Sequence, residues 1–204
     1  MSNSRSLSAF AFVACVACVA CASCAGTSAE LTAAKSTAYQ GSFDDVWNKV
    51  VASINHEFPM VQELDQQHHR ILTCWHTIDR HLDTVSAGDI NADRFFYRAA
   101  IQISDAPPWR IVVSGRAAHF TQPSVFPFKH DDPSEPAWVD GRTEKIAVAI
   151  HEGLKASAAP ATGAPPPAYD PGDVENIADT CIVGDIVGIP VQHTKGIKIG
   201  TETQ

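Results

Sequence analysis

Phe43, Val46, Trp47, Val50, Val51 and Ile54 recur at three- and four-residue steps, which gathers them on one side of a 3.6-residue helix. Ser42 stands just before the run, and Asp45 three residues later resembles a capping box. Asp44 and Asp45 also favour the positive end of the helix dipole, and Pro59 sets the limit of the element. Beyond it the period drops to two. Residues 60–64 form a short candidate strand and "DQQHHR" supplies a turn. "RILTCWHTI" (70–78) places Ile71, Thr73, Trp75 and Thr77 on one face and Leu72, Cys74 and His76 on the other. In "RFFYRAAIQIS", Phe95, Tyr97, Ala99, Ile101 and Ile103 alternate with Phe96, Arg98, Ala100, Gln102 and Ser104. A turn at 105–108 leads into "WRIVVSGRAAHF", so the two runs predict an antiparallel hairpin. A proline-punctuated loop follows over 121–136. A second helix is predicted over 138–157, with Ile146, Ile150 and Leu154 at four-residue spacing.

Two helices can bury their apolar stripes on one face of an antiparallel sheet. The expected fold is therefore α+β and two-layered: a four-stranded antiparallel sheet with two helices on one face, in the order α-β-β-β-β-α, over residues 42–157. Residues 24–41 are small and polar and read as a flexible tether. "ASAAPATGAPPPAYDPGD" makes 158–173 a Pro/Ala-rich linker with little packed structure. The tail, 174–204, contains "TCIVGDIVGIPVQ", enough for one or two short strands that return to the sheet.

The leader changes the picture. Cys15, Cys18, Cys21 and Cys24 are three residues apart, but Val, Ala and Ser fill the gaps, where a metal site would need polar partners. Arg5 followed by an apolar run to about residue 22 has the build of a secretory signal, shorter than a membrane-spanning helix needs. The end of the run, "CASCAGTS", resembles a bacterial lipobox, in which small residues precede a cysteine that becomes the lipidated first residue. That resemblance implies a signal peptide over 1–23 and Cys24 as the site of acylation with palmitate-type chains. Cys21 stands where such boxes usually carry an aliphatic residue, and it is the competing acceptor. Ala25 in place of an aspartate implies the outer membrane, facing the periplasm.

The chain carries a net charge of −8, and loss of a leader holding one arginine and no acid moves it to −9. This argues against nucleic acid as partner and against electrostatic attachment to anionic lipid. After Cys24 only Cys74 and Cys181 remain. In an oxidising envelope such a pair is most simply a disulfide, the alternative being two buried thiols.

Candidate chemistry is sparse. His68, His69, His76 and His81 lie close to Cys74, and a Cys/His set could hold copper or zinc. The mature chain nevertheless has no H-E-x-x-H and no paired C-x-x-C, so no metal site is assigned. Ser114 lacks the glycine that precedes a nucleophile elbow, and His119 and Asp131 are available in any chain this size. Asp131, Asp132 and Glu135 lack the alternating oxygen spacing of a calcium loop. Arg98 and Arg116, on adjoining predicted strands, could form an anion patch or surface ion pairs. Trp47, Trp75, Phe95, Tyr97 and Trp109 fall at core-facing positions.

The order of elements resembles the helix-grip units of small bacterial envelope lipoproteins, among them accessory lipoproteins of the outer-membrane β-barrel assembly machinery. "FDDVWNKVVASI", "ILTCW" and the "FFYRAAIQI" to "WRIVVSG" hairpin carry the likeness over residues 42–157. It implies a lipid-anchored, non-enzymatic binding or assembly factor with an envelope protein as partner and no cofactor. The alternative is a periplasmic metal- or redox-handling protein that uses Cys74, Cys181 and nearby histidines. Binding by groove or by added strand needs no catalytic residue.

Overall fold

The computed structural model describes residues 22–55, 57–78, 95–121, 124–172, 181–183 and 197–198. Cys15, Cys18 and Cys21, His81 and most of the 174–204 tail lie outside the described residues. The first long amphipathic run forms helix α2 (Phe43–Asn55), which buries Val46, Trp47, Val50 and Ile54. Its cap is the expected one: the Asp45 amide donates to Ser42 Oγ at 3.2 Å, and the Ser42 hydroxyl donates to the Asp45 carboxylate at 2.6 Å. The second run forms helix α3 (Trp138–Leu154), continued by a 3-10 turn over Lys155–Ser157. Ile146, Ile150 and Leu154 are buried as their spacing predicts.

The fold is α+β, but the sheet is larger than expected. Strands β2 (Met60–Asp65), β3 (Arg70–Thr73), β4 (Trp75–Ile78), β5 (Phe95–Ile103), β6 (Ile111–Thr121) and β7 (Ser124–Pro127) form its main body. Two-residue strands β9 (Ile182–Val183) and β10 (Ile197–Lys198) join it from the tail, making eight strands among the described residues. Every ladder is antiparallel except β4 with β9. Strand β7 falls within the segment expected as loop, where a register with β6 from Ala118–Pro127 to Thr121–Ser124 supplies the missing hydrogen bonds.

The flanks also differ from expectation. The predicted tether is helix α1 (Ala22–Ser36) and strand β1 (Thr37–Tyr39). Alanine-rich sequence favours the helix intrinsically, and Lys35 pairs with Glu144 of α3 at 3.0 Å. The backbone of Cys24 lies within α1. The predicted linker starts as strand β8 (Ala158–Pro160), paired antiparallel with β1. Tyr39 then exchanges two backbone hydrogen bonds with Trp109, both 2.8 Å, which ties this small ladder to the hairpin.

α2 and α3 cover one face of the sheet, and the core holds Trp47, Val50, Ile71, Tyr97, Ile101 and Ile150. Gly115 faces α3 there. A Cβ at this position would overlap Thr143 Oγ1 and the Tyr97 hydroxyl, two groups already hydrogen-bonded to each other at 2.9 Å.

Trp47→Ala and Val50→Ala should each destabilise the domain by about 2–5 kcal/mol, valine at the lower end. Gly115→Ala should cost about 1–3 kcal/mol through overpacking, whereas Asp44→Ala, at an exposed position, should cost under about 1 kcal/mol. Denaturant midpoints check the series; equal midpoints for all four would mean that the inner face is misassigned.

Candidate functional site: two arginines under a proline-rich strap

One extra residue sets the geometry of the opposite face. Leu72 pairs with Ala100, and His76 pairs with Tyr97, so four steps along β3 and β4 match three along β5. Cys74 is the bulge. Because side chains alternate, a single inserted residue reverses every orientation after it. The expected grouping of Trp75 with Ile71 is thereby corrected: Trp75 is buried on the outer face. His76 turns to the inner face, where its ring meets Phe58 edge-on at 4.8 Å. Cys74 is bonded to Cys181 with the Cα atoms 4.8 Å apart. The Trp75 amide donates to the Cys181 carbonyl at 2.8 Å, seating β9 beside β4.

Arg98 and Arg116 are direct cross-strand partners, so both project from the outer face. Neither is on the surface, contrary to the expected alternative of surface ion pairs: Arg98 is 0% exposed and Arg116 6%. Arg116 is fully compensated. It forks onto Asp170, donates to Glu135 at 3.1 Å and to the Lys129 carbonyl at 3.4 Å, and reaches His130 Nδ1 at 3.1 Å. Glu135 also accepts from the Ala117 amide at 2.9 Å. Burial alone would lower the Arg116 pKa, but Asp170 and Glu135 outweigh it and the pKa is raised. Burial likewise pushes the Asp170 carboxyl up, while bonds from Arg116 and the Gly172 amide hold it below the usual carboxylate range.

Arg98 is treated differently. It donates to the Gln62 side-chain oxygen and to the Pro171 carbonyl at 3.3 Å. Its guanidinium lies 4.7 Å from the centre of the Trp75 ring, and its Nε has no hydrogen-bond partner. Burial pulls its pKa down to about 9, which leaves it charged at neutral pH. Gln62 is available because the β2–β3 register slips between Val61 and Glu63. Its side-chain oxygen also accepts from the Cys181 amide at 3.3 Å.

Asp170 and Pro171, which meet these arginines, come from the supposed linker. Residues 163–172 run as a strap over the outer face, without helix or strand from 164 to 170 and with a turn at 171–172. Arg110 donates to the Gly163 carbonyl, the Ser114 hydroxyl to the Tyr169 carbonyl, and Arg98 to the Pro171 carbonyl. The Arg70 guanidinium sits 4.4 Å from the Tyr169 ring centre. Beside the strap, a cleft of about 890 Å³ opens between β6, the 130–137 loop and the start of α3, lined by Arg116, His130, Asp132, Glu135, Asp140 and Asp170.

The other sequence candidates do not converge. His68 caps the turn through Asp65 at 2.6 Å. His69, in the left-handed region at φ 56°, stacks on Phe43 at 4.1 Å. Ser114 is spent on the strap, His119 stacks on Phe126 at 5.8 Å, and Asp131 pairs with His130 at 3.4 Å. Cys74 is in the disulfide, and among the described residues no His, Cys, Asp or Glu group is placed to hold a metal ion. Sequence reasoning missed Gln62, Tyr169 and Asp170. The signal for the last two was an aromatic–acid pair inside a Pro/Ala run whose one other charged residue is Asp173.

Burial lowers the His76 pKa from 6.5 to about 4. Between those values the unfolded chain binds more protons than the folded one, so stability rises with pH through that window and falls as pH drops. His76→Phe keeps a ring against Phe58 and should flatten the decline between pH 6.5 and about 4; parallel stability curves for the two proteins would refute this account. Compared with protein-family models and with curated proteins, the chain finds no match.

Proposed function

We propose that the chain is a lipid-anchored cell-envelope protein that acts by binding a protein partner, as an accessory or assembly factor, without catalysis. The observation that carries the reading is the outer face itself. Side-chain donors from β3, β5 and β6 hold an extended segment mainly through its carbonyls, one ring and one carboxylate. Such a surface recognises an extended peptide by the means that peptide-binding domains use. The buried Cys74–Cys181 disulfide supports an oxidising compartment. The lipobox-like leader supports anchoring through Cys24 at the outer membrane, facing the periplasm. No helix among the described residues is long and apolar enough to cross a membrane.

Stable anchoring takes two acyl signals, which a processed lipoprotein cysteine provides. Cys24→Ser should therefore abolish labelling by a palmitate analogue and shift the protein from the membrane to the soluble fraction. Retained labelling would make Cys21 the acceptor, and an unmutated protein that takes no label would overturn the anchor. Affinity purification from envelope extracts should recover a protein partner; recovery of the chain alone would overturn the binding role.

A further inference from the structure

A guanidinium removed from water needs an opposite charge close by. Arg116 has two acids and Arg98 has none within ion-pair distance among the described residues. Glu63, the acid that acts on Arg98 from a distance, is already paired with Arg70. What Arg98 receives is neutral: an amide oxygen, a ring face and the Pro171 carbonyl. The last bond, at 3.3 Å, is longer than the roughly 2.7–2.9 Å of charge-assisted bonds. Two like charges directly opposite on neighbouring strands also repel, which raises the demand for an anion at this point. The strap answers that demand once, with Asp170, and then fails to answer it one residue later.

A chain that ended at the position of Pro171 would place its terminal carboxylate where the strap offers only a carbonyl. A charged oxygen there would turn the neutral bond from Nη1 into a charge-assisted one, and the second oxygen could take a remaining Nη hydrogen end-on, as carboxylates do with arginine. We propose that the groove is a receptor for the free carboxyl terminus of an extended, proline-containing partner segment, with the terminal carboxylate on Arg98 and an acidic side chain one residue earlier on Arg116. Residues 163–172 occupy the groove in the absence of that partner. Proline-rich sequence suits both occupants, because it is already extended and loses little entropy on docking.

The inference rests on the binding role proposed above and names its ligand. It is tested on purified chain in detergent, so its failure would leave a partner recovered from envelope extracts untouched. The probe is the nonapeptide GAPPPAYDP, identical to residues 163–171, made once with a free carboxyl terminus and once amidated. The protein is the full chain with Tyr169→Ala and Asp170→Ala, which frees the groove from its own strap while leaving every groove residue intact. The free-acid peptide should bind this variant at least tenfold tighter than the amide. It should bind the unmutated chain at least tenfold more weakly, because the strap competes. Equal binding of acid and amide, or binding of neither to the folded variant, overturns the proposal. Should the double variant fail to fold, hydrogen exchange on the unmutated chain decides. Millimolar free-acid peptide should then speed exchange of the Gly172 amide, which donates to Asp170 at 2.8 Å, and the amidated peptide should not. Unchanged exchange with both peptides overturns the proposal equally.

Discussion

The inserted residue at Cys74 is the constraint from which the outer face follows. Without it, Trp75 would turn to the helices and His76 would turn outward. With it, an indole lies under Arg98 at 4.7 Å, and a guanidinium so stacked and buried is held in one orientation. The same bulge interrupts the edge of the strand, and the backbone there takes its hydrogen bond from the tail: the Trp75 amide pairs with the Cys181 carbonyl at 2.8 Å. The disulfide fixes what that single bond could not. It spans 107 residues of sequence, a closure for which chain entropy alone gives nearly 5 kcal/mol as an upper figure. One register shift thus couples the platform beneath Arg98 to the tail at Cys181.

The two faces of the sheet solve different problems. The inner face is apolar packing against α2 and α3, with Gly115 allowing Thr143 and Tyr97 to meet. The outer face carries Leu72, Phe96, Ala100 and Ala118, all buried, yet sets two arginines among them. Among the described residues no helix covers this mixture, and a helix would be a poor cover, since its backbone acceptors are already used internally. An extended strap leaves its carbonyls free for Arg110, Ser114 and Arg98. The proline content of the segment, which removes amide donors, suits a face that offers mainly donors.

The inner half of the fold was legible in the sequence because its signals are periodic and local. Ser42 and Asp45 announce α2, and the alternation from Phe95 to Ile103 gives β5 its inner face without ambiguity. Trp75 was misplaced because alternation is only as good as the continuity of the strand. Nothing in "RILTCWHTI" marks the bulge except a cysteine whose partner lies far along the chain. The strap was missed for a related reason. Pro/Ala composition reports that a segment makes little regular structure, and it is silent on whether side chains elsewhere will bind its carbonyls. Arg98 was visible as an arginine inside an apolar run, but its lack of an acid among the described residues is a property of packing.

A strap tethered at one end through β8 and at the other through Cys181 holds its groove by proximity more than by fit. Intramolecular occupants act at effective concentrations in the millimolar range, equivalent to about 4 kcal/mol of advantage over a free ligand present at about 1 μM. A foreign peptide with the same contacts would lose to it. Only a contact that the strap does not make can reverse the balance, and among the described residues Arg98 is the buried charge on this face without an acid. Hydrogen bonds to charged groups contribute about 1.5–3 kcal/mol each, so a carboxylate that takes two of them is sufficient to offset the tether. A neutral carbonyl at Arg98 therefore keeps the strap weak enough to be displaced, while Asp170 on Arg116 keeps the groove covered until it is.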